Sequence, residues 1–475
     1  MHGNSPELGW VVQKFGGTSV GKFPEKIARD IVNLLGVYEK LKAVNMAGVT
    51  EDDQAALVES ANGLMLDICN DHIFASEAYV TDERIRTQLI GDIKKECQEV
   101  IEYIAAAKRF NLEINARSKD RVISFGEKLS CLFMTALLRT HGVEAKYVDL
   151  SEVFHNDSSH VLGSEFYRLA AAVFAKKIAA CETCVPVVTG FFGNVPGSLM
   201  EGDIGRGYTD LCAALCAVGV RARELQIWKE VDGIFTADPT KVPTASLLSS
   251  ITPSEAAELT FYGSEVIHHL TMDQVIHAQP PIPIRIKNVN NPRGNGTLVM
   301  PKDADGTGVG APPLPRAPAK PKRPTAVTIK DHMSIINIHS NKRSISHGFF
   351  ARVFSILDKH AVSVDLISTS EVHVSLAIHS SSQQLSNISA AQKELEEVGE
   401  VSIQSNMAIL SLVGAEMRQM KGIAGRMFST LGEHQVNLEM ISQGASEINI
   451  SCVIAAEDAT RAMNVLHTHL FTFLD

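Results

Sequence analysis

A glycine-rich turn near the amino terminus carries the residue types that bind phosphate. Residues 14–22 read KFGGTSVGK and lie between an apolar run and a segment with helical spacing. Glycines let backbone N–H groups approach a phosphate closely, and the amino end of the following helix adds positive potential. The same residues match the P-loop spacing, but Phe23 stands where a P-loop needs Ser or Thr for Mg²⁺. The alternative is that Lys14, at the end of the strand, is the phosphate-binding cation.

A second glycine-rich segment precedes an apolar helix predicted over residues 210–222. Residues 202–210 read GDIGRGYTD, and three glycines before a helix predict another amino terminus that faces an anion. Arg206 can bind a carboxylate through two hydrogen bonds, and Thr209 or Asp210 can cap the helix. A plain capped helix explains the same pattern, and both interpretations can hold together.

Two further segments place acidic residues where ligands commonly bind. Glu127 opens a helix predicted over residues 127–140, where an acid in the first turn is favourable in any helix. Residues 228–239 read WKEVDGIFTADP and follow a predicted strand. The carboxyl ends of parallel strands are where open α/β sheets bind their ligands. The second segment is therefore the stronger candidate for a binding site.

Strands alternate with helices over the first 300 residues, which predicts an α/β fold. A mostly parallel sheet with helices on both faces accounts for such an alternation. The predicted strands cover residues 10–15, 145–150, 185–189, 225–228 and 282–286, and the predicted helices cover residues 24–41, 127–140 and 210–222.

The chain changes character at residues 301–325, where proline, glycine and lysine predict an extended linker. Beyond the linker, residues 348–357 match residues 422–431 at an offset of 74 positions. The repeat predicts two α+β modules, 326–405 and 406–475, each with the order strand, helix, strand, strand, packed side by side. Paired modules behind a linker suggest regulation, although two purely structural copies explain the repeat as well.

The composition is that of a globular chain of several domains. The 475 residues include 44 Lys and Arg against 54 Asp and Glu, and 45% are hydrophobic. This acidic balance disfavours binding to nucleic acid or to an anionic membrane. The sequence has no apolar run of about 18 residues and no secretory signal at its start, so we expect a cytoplasmic protein. Eight cysteines in a chain of this length do not predict a disulfide scaffold.

Taken in this order, the four segments resemble the signatures of the amino-acid kinase family, and within it the fungal aspartokinases. Residues 262–268, YGSEVIH, and residues 284–288, IRIKN, resemble the remaining blocks of that family. The repeat resembles the paired ACT domains of aspartokinases. The resemblance covers nearly the whole chain.

The resemblance implies a fold and a reaction. It implies a three-layer αβα sandwich with a mostly parallel sheet over residues 1–300, followed by two ferredoxin-like ACT modules. The implied reaction is ATP-dependent phosphorylation of the side-chain carboxylate of L-aspartate, with Mg²⁺ accompanying ATP and no separate protein metal site. This is the first committed step toward threonine, methionine and isoleucine, and fungal members are inhibited by threonine. A homo-oligomer formed through the ACT modules is also implied.

The resemblance also implies roles for individual residues. Lys14 neutralises charge on the transferred phosphoryl group, and Asp210 orients groups around the phosphates. The residues that bind aspartate are Thr18, Glu127 on the α-ammonium, Arg206 on a carboxylate, and Thr209. The residues that line the nucleotide site are Lys14, Gly16, Gly17, Lys229, Glu230, Phe235, Glu265 and Val266.

The repeat predicts a site for a free amino acid, with threonine the expected effector. Turns of small residues at the starts of the two repeated helices suit its carboxylate, and polar residues suit its ammonium and side chain. The candidate effector-binding residues are Gly348, Asp365, Ile423, Ala424, Asn437, Ser442 and Gln443.

One departure from the family pattern concerns the second strand of the sheet. Residues 37–64 contain no compact β-branched run, so the strand and the turn that should follow it are predicted to be absent. The alternative function is therefore a catalytically impaired, amino-acid-binding ACT protein. Smaller departures are Thr240, where many relatives carry Arg, and Glu265, where bacterial relatives carry Lys.

Overall fold

The computed structural model describes most of the chain as two compact units. The described residues are 9–16, 50–110, 112, 116–151, 153–154, 163–181, 183–193, 207–261, 267–301, 323–340, 348–370, 372–380, 385–444 and 448–472. The first unit comprises residues 1–232 and 268–298, and the second comprises residues 233–267 and 299–475. The domain boundaries expected from the sequence, at 300, 325 and 405, stay a prediction.

The strands and helices are numbered here in chain order. The strands are β1 Val11–Phe15, β2 Ala145–Val148, β3 Val185–Val188, β4 Glu224–Lys229, β5 Ser250–Ile251, β6 Ile284–Asn288, β7 Thr297–Val299, β8 Ala326–Ser340, β9 Val364–Thr369, β10 His373–His379, β11 Gly399–Val413, β12 Met440–Ser442 and β13 Asn449–Ala455. The helices are α1 Glu51–Tyr79, α2 Glu83–Arg109, α3 Ala116–Thr140, α4 Ser164–Ala179, α5 Tyr208–Gly219, α6 Pro253–Phe261, α7 His269–Ile276, α8 Phe349–Lys359, α9 Leu385–Leu395, α10 Ile423–Glu433 and α11 Ala459–His467.

The sheets of the first unit are built from parallel pairs of strands. β4 pairs with β1 on one side and with β6 on the other, and both pairings are parallel. β2 and β3 form a separate parallel pair. The five strands predicted from the sequence are all present, and this arrangement confirms the α/β fold expected for this part of the chain.

The strand expected within residues 37–64 is not seen among the described residues. Among the described residues β1 pairs with β4 alone, and β2 and β3 stand apart from that sheet. The predicted helix at 24–41 and the first part of the segment 37–64 lie outside the described residues. The described remainder of that segment is the start of α1, where Thr50 caps the helix in a reciprocal bond with Asp53. No strand occurs in that remainder.

Two local predictions about helices were wrong. α3 begins at Ala116 rather than at Glu127, so Glu127 lies in the helix interior and not in its first turn. The amino cap of α5 is Gly207, which has no side-chain capping bond, so neither Thr209 nor Asp210 caps that helix. The reason in the first case is packing, because Val122 and Phe125, which precede Glu127, are buried in the core that α3 shares with α1 and α2.

The three long helices of the first unit share a hydrophobic core. α1, α2 and α3 bury one apolar stripe each, including Met65, Ile93 and Leu129, which are almost fully buried. This packing fixes the axis of α3 and therefore the position of Glu127. Among the described residues, no helix is both long and apolar enough to cross a membrane.

The part of the second unit that contains the repeat is one antiparallel sheet of six described strands. Their order is β12-β13-β11-β8-β10-β9, and the long strands β8 and β11 pair at its centre. Helices α8 and α9 pack against one half of the sheet, and α10 and α11 pack against the other half. The two repeats therefore lie side by side through their sheets, as predicted.

The repeat is visible in the backbone as well as in the sequence. Gly348 and Gly422 each cap the repeated helix in a left-handed conformation, with φ of 86° and 78°. His332 and Asn406, also 74 positions apart, share φ values of 60° and 61° at irregularities of β8 and β11. Matching backbone conformations of this uncommon kind show that the two copies have one fold.

Candidate active site

Lys14 and Asp210 form the centre of the candidate site. Lys14 lies on β1 and Asp210 lies in the first turn of α5, and Lys14 Nζ is 2.5 Å from Asp210 Oδ1. Their side chains are only 17% and 15% exposed, so the pair is shielded from solvent but still reachable. The structure therefore brings together the two residues predicted to be catalytic, although they are far apart in the sequence.

Glu127 adds a desolvated carboxylate to this centre. Desolvation by the surrounding protein raises the pKa of the Glu127 carboxyl, while the charge of Lys14 and a hydrogen bond from the Gly190 N–H act in the opposite direction. A carboxylate of this kind gains most from a cationic ligand, because a cation supplies the charge compensation that water does not. The side chain is suited to binding an ammonium group.

Gly190 is a site residue that the sequence analysis missed. It follows β3, and a Cβ placed on it would lie 2.9 Å from Glu127 Oε2 and 2.9 Å from Thr209 Cγ2. Only glycine therefore lets the backbone after β3 pass between these two predicted substrate-binding residues. The sequence feature that could have identified Gly190 is a glycine at the carboxyl end of a predicted parallel strand.

His268 is a second residue whose position the sequence did not indicate. Its Nδ1 accepts a hydrogen bond from the Leu270 N–H at the start of α7, and its ring packs against Gly207. Burial and the neighbouring His269 lower the pKa of His268, and the Asp210 carboxylate opposes that shift. The imidazole thus borders Gly207, the amino cap of the helix that carries Asp210.

The candidate nucleotide residues are divided between the two units. Lys229 and Glu230 lie at the carboxyl end of β4, where the Lys229 carbonyl accepts a hydrogen bond from the Val289 N–H. Just beyond, Asp232 Oδ1 accepts from the side-chain amides of Asn288 and Asn291, each at 3.1 Å. Phe235 lies in the second unit, in a bridge with Leu247. The following predicted site residues lie outside the described residues: Gly17, Thr18, Arg206, Glu265 and Val266.

The candidate effector residues occupy both modules. In the first module, Gly348 caps α8, and Asp365 on β9 accepts a hydrogen bond from Lys330 Nζ at 2.8 Å. In the second module, Asn437 donates to Glu439 at 2.7 Å. The other predicted residues of that module are Ile423 and Ala424 in the first turn of α10, Ser442 at the end of β12, and Gln443 directly after it.

The arrangement suits the transfer of an anionic group. Lys14 supplies a cation at a strand end, Asp210 holds that cation in place, and Glu127 lies next to Thr209 and Gly190 within the electrostatic influence of Lys14. Gly16 continues the chain directly from β1 and leads toward the rest of the glycine-rich turn. A phosphate next to Lys14 and an ammonium next to Glu127 would each meet the opposite charge.

Comparison with known families agrees with this geometry. The model of the amino acid kinase family matches residues 9–288, and that of an ACT domain matches residues 410–470. The first match contains Lys14, Glu127, Thr209 and Asp210, and the second lies within the second module.

Known fungal proteins resemble the chain over nearly its whole length. Aspartate kinase FUB3 of Gibberella moniliformis is 52% identical, with 98% of each chain covered. The aspartokinase of Saccharomyces cerevisiae is 48% identical, with 98% of this chain and 94% of the yeast protein covered. Both alignments extend over 498 positions, more than the 475 residues of this chain, so these relatives carry residues that this chain lacks.

Solved structures of one bacterial protein share the architecture. Escherichia coli aspartokinase III in complex with aspartate and ADP has a TM-score of 0.65 and 26% identity, with 97% of this chain and 99% of that chain covered. The same protein in complex with lysine and aspartate has a TM-score of 0.70 at the same identity and coverage.

Proposed function

This chain belongs to the amino acid kinase family, and within it to the aspartokinases, and we propose that Lys14, Asp210, Glu127 and Thr209 carry out its reaction. The enzyme phosphorylates the side-chain carboxylate of L-aspartate with ATP. The observation that carries the proposed site is the Lys14–Asp210 ion pair beside the desolvated Glu127.

The proposed mechanism is a direct transfer of the γ-phosphoryl group. A carboxylate oxygen of aspartate attacks the γ-phosphorus, the bond to the β-phosphate oxygen breaks, and ADP leaves. The attacking carboxylate is already ionised at neutral pH, so no base has to remove a proton. Positioning and charge neutralisation are therefore the main contributions of the protein.

Each residue contributes one part of this mechanism. The Lys14 ammonium stabilises charge on the transferred phosphoryl oxygens, and Asp210 keeps that ammonium in place. Glu127 accepts the α-ammonium of aspartate, with Thr209 beside it and with the Gly190 backbone N–H holding the Glu127 carboxylate in place. Outside the described residues, Thr18 and Arg206 complete the aspartate site, with Arg206 on a carboxylate. Lys229, Glu230, Phe235, Glu265 and Val266 bind the nucleotide.

Mg²⁺ is proposed to arrive with ATP rather than to occupy a site made of protein ligands. Among the described residues no group of three His, Cys, Asp or Glu side chains is arranged to hold a metal ion. Phosphate oxygens and water can supply most ligands of Mg²⁺, so a metal that accompanies ATP does not need a dedicated protein site. When bound, Mg²⁺ neutralises phosphate charge during transfer.

We further propose that a free amino acid, with threonine the expected one, binds the ACT modules and inhibits the enzyme. The two modules share one sheet, and each presents the amino end of a helix capped by a left-handed glycine. The E. coli relative has been solved in complex with lysine and aspartate, which supports binding of a free amino acid in this class of protein. We also propose a cytoplasmic homo-oligomer assembled through these modules.

The alternative of a catalytically impaired ACT protein is not favoured. The chain resembles whole aspartokinases at about half identity over 98% of its length, and Lys14 and Asp210 form an ion pair in the structure. Substrate choice tests the proposal directly. ADP release should require L-aspartate and should stay at the background rate with L-glutamate; equal rates with both amino acids would refute the assignment of Glu127 and Thr209 to an aspartate site.

A further inference from the structure

Lys330 occupies an unusual position between two parts of the second unit. It lies on β8, and its Nζ donates to Oδ1 of Asp365 on the strand β9 at 2.8 Å. The Asp365 side chain is only 8% exposed, and its buried Oδ2 has no hydrogen-bond partner among the described residues. A buried carboxylate with one unsatisfied oxygen can accept a further donor.

The same ammonium also contacts the end of helix α6. Lys330 Nζ lies 4.7 Å from the centre of the Phe261 ring, within the range of a cation–π interaction. Phe261 is the last residue of α6, and residues 262–266 follow it directly. Two of these, Glu265 and Val266, belong to the proposed nucleotide site.

The opposite end of α6 is held firmly by Glu255. Oε1 of this buried carboxylate accepts from the Thr325 hydroxyl at 2.6 Å and from the Ala415 N–H at 2.9 Å, and its Oε2 accepts from Thr252. The helix is also tied to β13 through Glu258, whose carboxylate accepts a hydrogen bond from the Asn449 side chain, so a change at Phe261 is confined to the last turn. Lys330 acts on the end that leads to the nucleotide residues.

The repeat provides an internal comparison for this arrangement. The position that corresponds to Asp365 in the second module is Glu439, which is exposed and accepts from Asn437. The position that corresponds to Lys330 is Gln404, which carries no charge. The buried pair of a carboxylate and an ammonium therefore belongs to the first module and is not required by the fold of the repeat.

We propose that Lys330 is a positioning residue that carries effector binding at Asp365 to the carboxyl end of α6. An effector amino acid brings an ammonium of the same charge and hydrogen-bonding type as that of Lys330. When this ammonium binds Asp365, the bond from Lys330 weakens, and the contact of Lys330 with Phe261 changes. The inference rests on the proposed effector site, and coupling of this kind requires the effector to favour one arrangement of α6 over the other.

The test uses the full chain with Lys330 replaced by Met, which keeps the length of the side chain without its charge. The threonine concentration that gives half inhibition should rise at least about tenfold, equivalent to about 1.4 kcal/mol of coupling. Calorimetric threonine binding should remain, and the uninhibited rate should stay close to that of the wild type. Lys241→Met is the matched control. It removes a lysine that pairs at 3.2 Å with Asp331, the residue next to Lys330 on β8, and it should leave inhibition by threonine unchanged.

Phe261→Leu is a second variant that does not disturb the buried pair. It keeps an apolar side chain at the end of α6 but removes the ring face, so it should weaken inhibition in the same way as Lys330→Met. A wild type inhibited by threonine, with both variants inhibited equally, would refute the relay alone. Loss of threonine binding in Lys330→Met would also refute the relay, since Lys330 would then form part of the effector site rather than couple that site to α6. A wild type that binds no amino acid would overturn the effector proposal and the relay together.

Discussion

At the scale of single residues, the site depends on charges that compensate one another. Lys14 and Asp210 form a close ion pair, and the desolvated Glu127 lies within the electrostatic influence of Lys14. All three residues were predicted from motifs in the sequence. Their mutual placement was not, because it depends on how β1, α3 and α5 pack.

Lys14→Ala and Asp210→Ala should each reduce turnover by at least about 100-fold, because each removes charge organisation around the transferred phosphoryl group. The melting temperature should change little, since neither side chain fills the hydrophobic core. Arg285→Met is the control. It breaks the ion pair between Arg285 on β6 and Glu224 at the amino end of β4, whereas Lys14 lies near the carboxyl end of β1. Turnover near the wild-type rate in either site variant would show that the site lies elsewhere.

Glu127→Gln should weaken aspartate binding roughly tenfold or more, since a hydrogen bond to a charged group contributes about 1.5–3 kcal/mol. In the wild type, the KM for aspartate should rise as the pH falls, and should do so at a higher pH than for an ordinary carboxyl, because the pKa of Glu127 is raised. The variant should lose that pH dependence. The measurement is the KM for aspartate as a function of pH.

The same raised pKa also predicts an effect of Glu127 on stability. Ionisation is disfavoured in the folded state, so this carboxyl lowers stability as the pH rises above its unfolded pKa. Glu127→Gln should therefore melt at a higher temperature than the wild type at pH 7, and the difference should shrink in acid. Glu165→Gln, at an almost fully exposed position, should show no such trend. A variant that melts lower at pH 7 would contradict the desolvation of Glu127.

At the scale of elements, the apolar runs predicted the strands because buried parallel strands read as compact hydrophobic segments. The start of α3 was missed because the earlier turns of this helix are stabilised by packing against α1 and α2, which the motif around Glu127 does not reveal. Gly190 and His268 were missed for another reason. Gly190 is approached by the side chains of Glu127 and Thr209, and the His268 ring lies against Gly207, so both positions depend on contacts between distant parts of the chain.

Gly190→Ala tests the close packing between β3 and the substrate residues. The added Cβ would lie 2.9 Å from Glu127 Oε2 and from Thr209 Cγ2, so one of these side chains has to move. The KM for aspartate should rise by about tenfold, because displacement of a charged hydrogen bond costs on the order of 1.5 kcal/mol. The chain should still fold.

Gly91→Ala is the matched control for this substitution. Gly91 lies inside α2, and nothing lies within 4 Å of a Cβ placed on it. Alanine there should stabilise the helix by about 0.5–1 kcal/mol and leave the kinetics unchanged. An unchanged KM in Gly190→Ala would show that Glu127 and Thr209 do not bind aspartate together.

At the scale of the whole molecule, the repeat predicted the paired modules correctly, because an offset of 74 positions preserves both sequence and backbone conformation. The division into two units could not be predicted in the same way. Residues 233–267 belong to the second unit, where Ala237 and Val242 join the hydrophobic core beneath the second module. Such contacts between distant segments leave no periodic pattern in the sequence.

The strand expected after the first helix is not seen among the described residues, and this bears on whether the chain is active. Its fungal relatives carry residues that this chain lacks, and β1 has a described strand neighbour on one side only. Lys14 of β1 and Asp210 of α5 nevertheless form their ion pair in the structure, and Lys14 acts electrostatically on Glu127 of α3. We therefore expect activity in the chain as it stands.

The central claim is that this chain forms aspartyl phosphate at the Lys14–Asp210 site under control of its ACT modules. The most direct measurement is the hydroxamate assay of the purified full chain with ATP, Mg²⁺ and L-aspartate, with and without L-threonine. We predict aspartyl hydroxamate that requires both substrates and decreases when threonine is added. A folded chain that binds threonine in a calorimeter yet forms no aspartyl hydroxamate would contradict the account.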